Sequence, residues 1–262
     1  MNDHRGVWVY AITDHAGGAD LSRLTGVADA TVHGAVADGL TVLVSPVDPA
    51  EFGEQALRRN LESLEWLEDV ARAHHSVVDT AARLFPVLPA RFATVYSSAA
   101  AMAAALAGHR EELRAGLRRV GGCVEWGVKA YPAGSTAGAG ASDARTGAST
   151  DATGTGAGMA YLKRRRAELS AREDSRRTAA AGARAVHAEL TGHAAQARLY
   201  PPQSPALSGS RTPMLLNAAY LLDKGSAGDF GSVVATAGDA HPELRLDLSG
   251  PWPPYSFTAQ AG

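Results

Sequence analysis

"GGCVEWGVKAY" (residues 121–131) is the stretch on which the fold turns. Cys123, Glu125, Gly127 and Lys129 alternate with Val124, Trp126, Val128 and Ala130. A period of two is the signature of a strand. The next segment, "PAGSTAGAGASDARTGASTDATGTGAG" (132–158), is almost entirely Gly, Ala, Ser and Thr. With no large apolar residue it offsets none of the entropy of ordering, so it predicts a flexible Gly/Ala-rich linker. Beyond it, 159–194 is rich in Ala, Arg, Leu and Glu and predicts one long helix. A short strand follows over 196–201 and a proline-rich loop after that. "MLLNAAYLL" (214–222) is an apolar run expected as a buried strand. A weaker helix over 226–238, capped by Ser226 or Asp229, precedes an alternating strand over 244–249. The downstream half therefore reads βαββαβ, the order of the ferredoxin-like motif.

Upstream, a similar order is expected in a less regular form. "GVWVYAIT" (6–13) is a strand, "DLSRLTG" (20–26) one or two helical turns, and 31–47 a hairpin turning near "ADG". Residues 49–85 form a long amphipathic helical region that Asn60 divides. Leu57, Leu61, Leu64 and Leu67 mark its apolar face, with Val70, Val77 and Val78 further along. An extended segment spans 86–98, and one or two helices over 99–120 join the halves. The expected fold is α+β, with two ferredoxin-like domains at 1–98 and 121–262. Residues 249–257, "SGPWPPYSF", are stiffened by three prolines and carry three aromatics. They are expected to lay a proline/aromatic strap back over the protein.

Composition narrows the function classes. A net charge of −2 gives no global attraction to nucleic acid or to an anionic membrane, and neither is expected as a partner. A single cysteine, Cys123, allows no internal disulfide and suits a reducing compartment. The N-terminus lacks a signal-peptide pattern, and no apolar run approaches the roughly 20 residues needed to span a bilayer. A soluble cytoplasmic protein is expected.

Chemistry-bearing patterns are scarce. No phosphate-loop or dinucleotide fingerprint, C-x-x-C pair or H-E-x-x-H is present. His74 and His75 are adjacent on a helix and so point apart, which suits packing better than metal binding. A haem or flavin enzyme with either histidine as ligand is the alternative. "KRRR" (163–166) suggests a phosphate-binding face, but Glu168, Glu173 and Asp174 follow at ion-pairing distance, favouring a solvated or partner-facing helix. Glu62, Glu65, Glu68 and Asp69 read as the wet side of a helix. Trp66 interrupts that side and is a candidate partner-binding residue. Arg91 in "LPARFATVY" is expected to be partly buried and to need hydrogen-bond partners. Trp252, Tyr255 and Phe257 complete the candidate partner-binding set. No catalytic, cofactor-binding or metal residue is assigned.

Taken together, "GVWVYAIT", "LRRNLESLEWLEDVARAHHSVV", "FPVLPARFATVYSS", "VEWGVKAY", "AYLKRRRAEL", "LLNAAYLLD" and "LRLDLSGPWPPYSF" resemble the gas vesicle protein F/L family (GvpL/GvpF) in content and order. "VLPARF", "EWGVK" and "GPWPPYSF" are the most specific pieces. The resemblance covers nearly the whole chain except 132–158. It implies a non-enzymatic accessory or minor component of the gas vesicle, located there and in the cytoplasm. The implied partners are the major hydrophobic shell protein and other accessory proteins. Two features depart from the family pattern: Ala93 stands where Gly usually follows "RF", and the linker is longer and richer in Gly and Ala.

Overall fold

The computed structural model describes residues 5–15, 24–133, 155–203 and 212–258. Of the helical turns expected over 20–26, residues 20–23 lie outside these residues, as does most of the linker (134–154), while 24–26 are not helical because Thr25 bridges to Thr31.

The chain is mixed α+β with two antiparallel sheets. It divides into two compact units, one holding 1–126, 221–227 and 250–262, the other 127–220 and 228–249. In the first unit, β1 (Gly6–Thr13), β2 (His33–Ala37), β3 (Leu40–Val47) and β4 (Leu88–Pro89) lie in the order β2-β3-β1-β4, and β5 (Val95–Tyr96) also pairs with β1. The β2–β3 hairpin pairs Ala37 with Leu40. Asp38 (φ 49°) and Gly39 (φ 72°) form its two-residue turn, and two successive positive φ values are what a type I′ turn requires.

The β1–β3 register shifts between Val9 and Ala11. Tyr10 sits at this irregularity, fully buried, with its hydroxyl 2.7 Å from Ser45 Oγ and accepting from the Val27 amide at 2.8 Å. A Cβ on Gly26 would fall 2.1 Å from that hydroxyl, so the position takes only glycine.

Helices α1 (Pro49–Phe52), α2 (Glu54–Asn60) and α3 (Leu64–Leu84) follow. Asp48 caps α1 and Ser63 caps α3, and the break falls after Asn60 as the sequence predicts. The expected apolar face is partly corrected. Leu64 is 81% exposed and Leu61 is also exposed, because both lie at the α2–α3 break, clear of the sheet. The buried face is Phe52, Val70, His74, Val77, Val78 and Ala81. Two helices, α4 (Ala99–Leu106) and α5 (Arg110–Val120), occupy 99–120.

The second sheet has the order β7-β8-β6-β9. Its strands are β6 (Cys123–Pro132), β7 (Gln196–Leu199), β8 (Leu216–Asp223) and β9 (Leu244–Trp252). Helix α6 (Thr155–Gly192) starts earlier than expected, so 155–158 is helical, and β9 runs two residues past Gly250. Helix α7 is Phe230–Ala240. Asp229 is its N-cap residue, one of the two expected, though its side chain makes no cap bond, and Ser226 Oγ donates instead to the Asp223 carbonyl. In the second unit Val186 and Leu190 of α6, Tyr220 of β8 and Phe230 of α7 are fully buried or nearly so.

Candidate functional site

Two histidines at the centre of α3 organise one side of the first unit. His74 is 2% exposed and accepts a hydrogen bond at Nδ1 from Trp8 Nε1 at 3.0 Å. It stacks on Tyr10 with 5.5 Å between centroids and takes the edge of Phe92 at 5.8 Å. The ring pKa falls to about 4, chiefly through burial and then through the adjacent His75, the Ala90 backbone opposing. His74 is therefore a neutral packing residue. Because Nδ1 accepts from Trp8, the neutral ring carries its proton on the buried Nε2 and has no lone pair to spare, and four aromatic rings close around it, so it does not fit the role of haem ligand.

His75 points the other way. Its Nδ1 lies 3.3 Å from the Tyr255 hydroxyl, and Trp252 presents its ring at 5.2 Å. Burial, with the Asp79 and Glu125 carboxylates, raises the Tyr255 pKa and keeps the phenol protonated. Beside it, Glu125 is buried and accepts from the Ser256 amide at 2.7 Å and from the Ser256 hydroxyl. Arg119 donates to the Phe257 carbonyl at 3.1 Å, and Phe257 is buried. Trp252 remains 41% exposed. The period-two reading of β6 placed Glu125 on a strand, but nothing in the sequence paired it with Ser256.

Arg91 is exposed, which corrects the expectation of partial burial. Its contribution is through the backbone: its carbonyl accepts from the Thr94 amide at 3.2 Å and the Thr94 hydroxyl at 2.7 Å. This tight turn drives Phe92 against Trp8 and leaves Ala93 at φ 63°, the left-handed region. A glycine would take this conformation without strain. Trp66 is half-buried on Phe52 at 5.6 Å and donates from Nε1 to Glu51 at 2.8 Å. Both contacts arise because α1 turns back beneath it.

Among the described residues, two surfaces of this unit offer apolar side chains or backbone groups to a partner. A groove of about 450 Å³ is lined by Val47, Phe52, Leu57, Ala93, Val95 and Tyr96, with Glu54 as its charged member. The second is β2, the terminal strand of its sheet, with no further strand paired to it among the described residues. In a two-residue hairpin the residues flanking the turn exchange both hydrogen bonds. Ala37 therefore faces β3, and the backbone groups of Val36 and Gly34 face outward. Val36 is 78% exposed, and β2 carries no Asp, Glu, Lys or Arg. Among the described residues no three His, Cys, Asp or Glu side chains gather to hold a metal ion. No helix of these residues is long and apolar enough to cross a membrane.

Comparison with known proteins puts this chain among the gas vesicle proteins. The family described as "Gas vesicle synthesis protein GvpL/GvpF" matches residues 6–259. Gas vesicle protein L of Streptomyces sp. (strain CB03234) is 34% identical over 262 residues, covering 100% of this chain and 96% of that protein. The crystal structure of GvpF from Anabaena sp. PCC7120 shares the fold with a TM-score of 0.62 at 19% identity, over 97% of this chain and 96% of that one. GvpF from Microcystis aeruginosa gives 0.63 at 18% identity, over 96% and 98%. This chain belongs to the GvpL/GvpF family.

Proposed function

We propose that the chain is a non-catalytic gas vesicle accessory or minor structural protein. It binds the major hydrophobic shell protein, alongside other accessory proteins, and supports vesicle assembly. Family membership supports the setting. The observation that carries the binding role is the edge of β2, which has no strand paired to it among the described residues, carries no Asp, Glu, Lys or Arg, and exposes Val36. Exposed strand edges pair readily with extended segments, and proteins ordinarily protect them with charge or proline. An unprotected one suits the capture of an aggregation-prone apolar chain by strand addition.

We read the architecture as two ferredoxin-like halves, 1–98 and 121–262, joined through 99–120. The sheet orders β2-β3-β1-β4 and β7-β8-β6-β9 support this reading. Residues 250–257 act as the strap, with Tyr255, Phe257 and Trp252 as its anchors, and Trp66 and Arg91 flank the binding region.

Val36→Pro tests the binding role. Proline removes the outward amide of Val36 while leaving the bonds to β3, and edge strands accept it. Wild-type protein should keep co-expressed shell protein in the supernatant. The variant should lose this by about tenfold or more with an unchanged melting temperature. A fully active Val36→Pro protein would overturn the edge as the binding element.

A further inference from the structure

Helix α6 is 38 residues long, about 57 Å at 1.5 Å per residue. Packing occupies only its second part: Ala179 is the first buried residue, and every residue from 159 to 178 is exposed. That is about 30 Å of helix whose residues are all exposed. A helix bare on all sides gains nothing from tertiary packing, which is where most helical stability comes from. Nor is this stretch purely polar, as a solvated helix would be. Met159, Tyr161, Leu162 and Leu169 are 52–72% exposed.

Its charge is also unlike that of the rest. Seven Lys/Arg and three Asp/Glu fall within 159–178, in a chain whose net charge is −2. The three acids reach Arg165 and Arg177 at 3.5 Å. Lys163, Arg164, Arg166, Arg172 and Arg176 make no ion pair among the described residues. Arg164 lies over the Tyr161 ring at 5.8 Å.

The same chain carries a surface of the opposite kind. "LESLEWLED" (61–69), at the α2–α3 break, exposes Leu61 and Leu64 among Glu62, Glu65, Glu68 and Asp69. Glu68 and Asp69 pair with Arg72 at 2.6 and 3.5 Å, while Glu62 and Glu65 have no cation among the described residues. One surface is basic with exposed apolar side chains; the other is acidic with exposed leucines. We propose that the free part of α6 docks on residues 61–69 of a second copy of this chain. Like charges oppose pairing of two α6 helices with each other, and opposite charges set the register of α6 against 61–69. Because the two surfaces differ, the contact closes as a reciprocal dimer or propagates head to tail.

Sedimentation velocity of the full chain tests this at low and high salt. Wild type should self-associate in about 50 mM salt and dissociate in about 500 mM, where charges are screened within a few ångströms. Arg164→Glu/Arg166→Glu/Arg172→Glu and Glu62→Lys/Glu65→Lys should each weaken association about tenfold or more, with unchanged melting temperatures. Mixing the two reversed proteins should restore it, since each then meets its opposite. Wild type that stays monomeric at every concentration would overturn the proposal, as would association that neither reversal weakens or a mixture that fails to recover. Binding of heparin by α6 without self-association would mark the helix as a general anion site and equally overturn it.

Discussion

Lowering the pH from about 7.5 to about 5 should destabilise the wild-type chain by about 2 kcal/mol more than a His74→Gln variant. The folded ring has a pKa of about 4, below the reference 6.5, because it is buried and sits beside His75. The unfolded chain therefore takes up the proton first as the pH falls. The stability that neutral His74 contributes is complete above about pH 6.5, erodes below it, and is lost as the pH passes through about 4. The full difference of about 2.5 pH units corresponds to about 3.4 kcal/mol, of which about 2 is gone by pH 5. Glutamine supplies an oxygen for Trp8 Nε1 and does not titrate, so the variant isolates the proton from the hydrogen bond. Urea unfolding of both proteins at matched pH, followed by tryptophan fluorescence, gives the two slopes. Parallel slopes, differing by less than about 0.5 kcal/mol, would refute the claim that His74 is held neutral by its surroundings.

Ala93→Gly should stabilise the chain by up to about 1 kcal/mol by relieving a left-handed alanine, read as a higher melting temperature. Glu125→Gln leaves one Ser256 donor poorly matched and should cost about 1–3 kcal/mol, with faster proteolysis between Trp252 and Thr258. Phe257→Ala should cost about 3–5 kcal/mol, whereas Trp252→Ala, at a half-open position, should cost about 1 kcal/mol; calorimetry separates them. Tyr10→Phe strips the partner from the Val27 amide and Ser45 and should lower stability by about 1–3 kcal/mol in urea.

Where local chemistry decided the structure, the residues announced it. The alternation at 123–130, the Asp-Gly turn and the Asn60 break each depend on neighbours in the chain, and each lies where expected. What stayed hidden depends on residues far apart. Leu61 and Leu64 fit the helical period but sit where the helix is interrupted, so period alone placed them inside. Arg91 looked buried because its neighbours are apolar, yet the turn points Phe92 inward instead. His74 and Glu125 are anchored by Trp8 and Ser256, 66 and 131 residues away, and no short motif encodes such pairs. The basic character of α6 was legible, but the exposure of every residue from 159 to 178 is a property of the fold.

The first unit is discontinuous, and this gives biosynthesis an order. Every residue of the second unit lies between 127 and 249, so 250–257, which completes the first unit, is synthesised after all of it. Until those residues emerge, Glu125 lacks the Ser256 donors and His75 lacks Tyr255. The nascent first unit thus waits with a buried carboxylate site unfilled and its aromatic cluster uncovered. The part of the protein made first is the part finished last, and a ribosome stalled just before Gly250 would hold it in that open state.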